Sequence, residues 1–183
     1  MVKKSKIPDH SILKMGNKSF DYVDCYQSSF MDEANKIDIT KIGKLFFISG
    51  PKWVDGLFTV RNKVVRLLGL KTPGDPTDRQ KQLDNFKCDK GEQLGLFKVF
   101  DKTDNEVILG EDDKHLDFRV SLLLDKLASK TEQKNLTITT TVKFNNSFGR
   151  LYFLPVRAFH KLIVPTMLKG IIKQLENETT TNR

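Results

Sequence analysis

His115-Leu116-Asp117-Phe118-Arg119-Val120-Ser121-Leu122-Leu123-Leu124 alternates polar and apolar side chains as far as Leu122. With a side-chain period of two, His115, Asp117, Arg119 and Ser121 share one face of a strand, while Leu116, Phe118, Val120, Leu122 and Leu124 share the other. A sheet built from such strands has one apolar face and must bury it. Neighbouring stretches carry the same signal: Leu94–Phe100, Glu106–Gly110 and Leu136–Phe144 are strand-like and are separated by turn-rich segments at 102–105, 111–114 and 129–134. This spacing predicts an antiparallel meander. Asn145-Asn146-Ser147-Phe148-Gly149 reads as one more hairpin turn, after which Leu151–Val156 returns as a last strand ending near Pro155. Upstream, the aromatic-rich run Phe20–Ser28 reads as the first strand.

The period then lengthens. Ile39, Ile42, Leu45 and Phe46, followed by Trp53, Leu57, Val64 and Leu68, recur every three to four residues, with Gly50-Pro51 interrupting and Gly69 closing. Two consecutive helices are expected. Residues 71–93 hold Thr72-Pro73-Gly74-Asp75-Pro76, Gly91 and many charges, so they form a long loop with one short helical turn near Asp78–Phe86. From Arg157 to Asn177 the residues Phe159, Ile163, Met167, Ile171 and Leu175 repeat every four positions, the seam of a long amphipathic helix. Pro165 bends it, because the Lys161 carbonyl loses its partner.

These elements describe an α+β chain: a curved antiparallel sheet of about six strands wrapped around a long C-terminal helix, with two short helices after the first strand. The chain has 183 residues, of which 38% are hydrophobic. A chain of this size buries roughly 70% of its unfolded surface in one core without disulfides or a metal. The expected organisation is a fraying N-terminal segment over residues 1–15, one domain over 16–177 and a disordered tail over 178–183. Apolar runs are far shorter than the ~20 residues that span a bilayer, and Pro8, Asp9 and His10 stand where a secretory apolar region would follow the basic start. Cys25 and Cys88 lack CxxC or Cys/His spacing, which favours reduced thiols and a cytoplasmic address over a disulfide framework or a zinc site. The net charge of +8 would suit a nucleic acid or an anionic membrane. The lysines, however, alternate with acids or lie in the tail, and aromatics do not interleave with them as nucleic-acid stacking platforms require.

The order of elements resembles the helix-grip fold of START-like and birch-pollen-allergen-like proteins. Three blocks sharpen this: Pro51-x-Trp53-x3-Leu57-x3-Arg61-Asn62, Gly110-x2-Asp113-x-His115-Leu116-Asp117-Phe118-Arg119, and Arg157-x-Phe159-His160-x-Leu162-Ile163-Val164-Pro165-x-Met167-Leu168. They are similar to blocks of the bacterial domain of unknown function 2867 family, over about Phe20 to Leu175. The resemblance implies a hydrophobic cavity between sheet and last helix, and it implies no activity.

On that basis a small apolar or amphipathic ligand is expected, held by Phe118, Val120, Leu136 and Ile138 from the strands and by Trp53, Phe159, Ile163 and Met167 from the helices. No cofactor is expected. Scattered histidines without His-x3-His or Glu-x-x-His spacing argue against a metal, and no Gly-x-Ser-x-Gly elbow or Walker loop is present. The alternative is a cyclase- or dehydratase-like enzyme of the kind START-like folds host. In it His115 or Asp117 would move a proton and Arg119 would steady an enolate-like oxygen. Alternation alone is also what the solvated outer face of any half-buried strand shows. A third reading is an interaction module whose interior is filled by its own side chains. His160 sits at the start of the last helix near Arg157, where one reading puts it at a cavity mouth and the other leaves it exposed or capping a neighbour.

Overall fold

The computed structural model describes residues 1–15, 19–50, 79–127 and 132–181. The expected helices and loop between residues 51 and 78, Trp53 among them, lie outside the described residues.

Seven antiparallel strands form one open sheet in the order β1-β2-β7-β6-β5-β4-β3. They are β1 (Lys3–Lys4), β2 (Tyr22–Met31), β3 (Gln93–Leu94), β4 (Phe97–Lys102), β5 (Glu106–Asp112), β6 (Leu116–Lys126) and β7 (Gln133–Phe144). The meander from β4 to β7 is the expected one, and the first long strand closes against the last, with Cys25 opposite Thr139 and Tyr26 opposite Ile138. Among the described residues the α-helices are α1 (Ile39–Ile48), α2 (Arg79–Asn85) and α3 (Ser147–Thr181). Asp38 caps α1 by accepting from the Lys41 N–H at 2.7 Å.

One face of the sheet and the two longer helices share the core. Phe30, Val107, Leu109, Val120, Leu122, Leu136 and Ile138 meet Ile39, Ile42 and Leu45 of α1 and Val164, Leu168, Ile171 and Leu175 of α3. The alternation of residues 116–124 therefore points its apolar row inward, as its period requires.

The segment after β7 departs from expectation. Leu151–Val156 is not a returning strand, because α3 starts directly at Ser147 and runs through both Pro155 and Pro165. The physical reason lies in Asn146, whose side-chain oxygen accepts the Gly149 N–H at 3.0 Å and so serves as an N-cap rather than a hairpin corner. Gly149 is required there, since a Cβ on it would run into the His115 carbonyl.

The start of the chain, expected to fray, is tied to the second face of the sheet. β1 pairs with β2, and a 3-10 turn over Ile12–Lys14 follows. Glu106, only 1% exposed, accepts from Ser11 Oγ at 2.6 Å, the Ile12 N–H at 2.8 Å and Ser121 Oγ at 2.5 Å. Burying a carboxylate is costly unless its lone pairs are met, and here the N-terminal segment supplies two of the three donors.

Candidate functional site

Along β2, Tyr22 and Asp24 lie two positions apart and so share the helix-facing side of the sheet. On α3, Phe153, Arg157 and His160 stand at i, i+4 and i+7, one face of a helix. Packing brings the two sets together. The rings of Tyr22 and Phe153 meet edge-on at 4.9 Å, and Phe144 at the end of β7 meets Phe153 at 5.5 Å. Asp24, 4% exposed, receives two bonds on one oxygen: Tyr22 donates its hydroxyl to Oδ2 at 2.8 Å, and His160 Nδ1 lies 2.9 Å from the same atom. Asp24 Oδ1 and the hydroxyl of Thr140, its neighbour across the strand pair, are buried without a hydrogen-bond partner among the described residues. Burial, and then the bond to the Asp24 carboxylate, pushes the Tyr22 hydroxyl pKa well up, so Tyr22 stays a proton donor to Asp24. Two elements distant in sequence are thus joined through one buried carboxylate.

Beside this cluster, between the end of the sheet and the first turns of α3, lies an open pocket of about 220 Å³ lined by Asp21, Tyr22, Phe144, Arg150, Phe153, Leu154 and Arg157. Its walls are aromatic and its polar groups are two guanidiniums and one carboxylate. Asp21 is already engaged: it accepts the Phe144 N–H at 2.8 Å and lies 3.5 Å from Arg150. Arg157 stands 5.6 Å over the Tyr22 ring and has no carboxylate partner among the described residues. The arrangement can seat an apolar group against the rings and an anionic head against the arginines. His160 is not part of the pocket wall.

The residues singled out from sequence are placed differently. Val120, Leu136 and Ile138 are buried in the core, with Phe118 and Met167 packed against it and Ile163 half-buried. Phe159 is 45% exposed and does not enter the space between sheet and helix. Asp117 and Arg119 lie on the sheet face opposite the core, His115 packs against the first turn of α3, and the three do not converge. The His115 ring lies 4.6 Å from Phe148 and bonds Asn146, while Asp117 accepts from Asn145 Nδ2 at 2.9 Å. Arg119 sits 3.5 Å over Phe100, a residue displaced by the irregular register between Val99 and Asp101, and pairs with Asp112 at 2.5 Å. Both cysteines are buried and unpaired. Burial raises the Cys25 thiol pKa and pushes that of Cys88 up to about 12, so neither is a ready nucleophile. Among the described residues no three His, Cys, Asp or Glu side chains gather to hold a metal, and no helix is long and apolar enough to cross a membrane.

The Tyr22/Asp24/His160 cluster is absent from the candidates drawn from sequence. A Tyr-x-Asp pair on a strand is visible there, but nothing in the spacing says that His160, far along the chain, closes on it. Asn146 was the missed signal, since reading it as a cap places Phe153, Arg157 and His160 on one helix. The family model described as Protein of unknown function (DUF2867) matches residues 17–167, most of the chain. Comparisons with curated proteins and with solved structures return no match.

Proposed function

We propose, for a chain that belongs to the DUF2867 family of proteins of unknown function, that it binds a small amphiphile with an anionic head at the junction of the sheet and the C-terminal helix. The observation that carries this reading is the pocket of about 220 Å³ with walls from Tyr22, Phe144 and Phe153 and with Arg150 and Arg157 among its lining residues. Its size suits a short acyl or aryl group rather than a whole lipid. The exposed Arg150–Asp21 pair is of the kind worth about 0–1 kcal/mol, so Arg150 can exchange that partner for a ligand anion at small cost. Of the residues expected from sequence, Phe118, Val120, Leu136, Ile138, Phe159, Ile163 and Met167 do not line this pocket.

Calorimetric titration with octyl phosphate, octanoate and octanol tests the reading. Saturable binding of the two anions is expected, with octanol bound more weakly. Charge-assisted bonds contribute about 1.5–3 kcal/mol, so Arg157→Gln lowers anion affinity at least ~10-fold, and Phe153→Ala lowers affinity for all three. Absence of saturable binding by any of them at millimolar concentration would overturn it. An enzymatic reading through His115, Asp117 and Arg119 has no support in the convergence of those groups, each of which is engaged with a different neighbour.

A further inference from the structure

We infer that the outward face of the first half of α3 is a docking surface for an anionic lipid bilayer. Phe148, Leu151, Leu154, Phe159 and Leu162 are all exposed, the three leucines by more than 60%. At about 100° per residue they cluster on one side of the helix, opposite Phe153, Val164, Leu168 and Ile171, which are buried. Exposed apolar residues scattered singly are ordinary, whereas a contiguous stripe marks an interaction site. Charge identifies the occupant. Before the acids Glu176 and Glu178 of its last turns, the helix carries Arg150, Arg157, Lys161, Lys169 and Lys173 and no Asp or Glu. Lys161 borders the stripe on one side, and Lys169 and Lys173 continue its face toward the C-terminus.

A second copy of the chain laid on the stripe would bring these cations against one another, which is unfavourable. A protein partner with an acidic groove would satisfy the same charges, and the absence of flotation with either vesicle would favour it. A ridge of Leu and Phe edged by Lys and Arg, lying in the interface plane, is how amphipathic helices enter the headgroup layer of anionic membranes. The helix is held in place for this by its other face, which is packed on the sheet, so no folding on contact is required. The stripe adjoins the proposed pocket, whose lining includes Leu154, whereas Leu151, Phe159 and Leu162, the residues on which the test turns, do not line it.

Vesicle flotation decides the matter. The full chain is expected to float with phosphatidylcholine vesicles containing phosphatidylserine at least ~10-fold more than with pure phosphatidylcholine, with the excess lost as salt shortens the screening length. Leu151→Asp combined with Leu162→Asp should reduce flotation at least ~10-fold, and so should Lys161→Glu with Lys169→Glu; these sites are exposed, and circular dichroism confirms that each variant is folded. Three results would overturn the inference: no flotation with either vesicle, flotation unaffected by Leu151→Asp/Leu162→Asp, or a concentration-dependent dimer of the wild type that the same pair abolishes.

Discussion

Replacing His160 by alanine tests the joint between β2 and α3 on which the site depends. In the wild type Asp24 is 4% exposed, and its Oδ1 has no partner among the described residues, so Tyr22 and His160 are the groups that solvate it, both through Oδ2. Removing one partner of a fully buried charge pair costs about 3–5 kcal/mol. The His160 side chain is 21% exposed, so water can enter the space left by the ring, and the expected loss falls to about 2–3 kcal/mol, near the value for a hydrogen bond to a charged group. For a chain of this length that is roughly 5–10 °C in Tm. The assay is urea unfolding followed by circular dichroism, run as a double-mutant cycle with Asp24→Asn. Asparagine keeps the shape and can still accept from Tyr22 but has no charge to strand, so His160→Ala in that background should cost about 1 kcal/mol, a coupling near 1.5 kcal/mol. A His160→Ala cost below about 0.5 kcal/mol in the wild-type background, the value of an exposed pair, would refute the buried-joint reasoning. An equal cost in both backgrounds would show that the carboxylate is not what the imidazole serves.

Other expectations follow from groups outside the site. Ser11→Ala removes one of three donors from the buried Glu106 carboxylate; it should cost about 1.5–3 kcal/mol and make the N-terminal segment a faster substrate for limited proteolysis, and an unchanged protein would show that the segment is not held there. Asp32, 4% exposed and 2.6 Å from Lys134, has competing influences on its pKa. Burial would raise it, but the bond from Lys134 and the N–H groups of Ile37 and Lys36 together hold it below the ordinary value. Its stabilising contribution is therefore complete above about pH 4 and is lost as pH falls through the depressed native pKa. In acid titrations followed by circular dichroism Asp32→Asn should flatten that loss, and at neutral pH Lys134→Met should cost about 3 kcal/mol by stranding the carboxylate. Gly149→Ala forces a Cβ against the His115 carbonyl and should lower stability by about 1–3 kcal/mol; a neutral substitution would mean the start of α3 can shift freely.

Alternation made the sheet legible. Residues 116–124 have a period that admits one orientation, and the segments that flank them are rich in Asp, Glu and Lys, so the meander from β4 to β7 follows from local chemistry alone. The C-terminal helix was legible as a helix from Arg157 onward but not in its beginning. Asn145-Asn146-Ser147 satisfies the statistics of a turn and of a cap equally, and only the Gly149 N–H meeting the Asn146 side chain separates the two. Nor could sequence reveal Glu106 as a buried anchor, since its donors Ser11 and Ile12 lie far from it along the chain and are joined to it by the fold.

The four-residue seam shows why the inward face of α3 was misjudged. Each step of four residues advances about 400° around a helix of 3.6 residues per turn, so a strict four-residue repeat drifts about 40° per step. From Phe159 to Leu175 the drift accumulates to about 160°, and two residues of one apparent seam must stand on nearly opposite sides. Their exposures agree: Phe159 is 45% exposed and Leu175 is 1% exposed. The residues that do face the core, Val164, Leu168, Ile171 and Leu175, mix steps of four and three, which keeps them within one side. A helix of this length with only one apolar face would have left Leu151, Leu154 and Leu162 polar. Since packing on the sheet needs none of them, their apolar character calls for something outside the core, and the cations beside them state its charge.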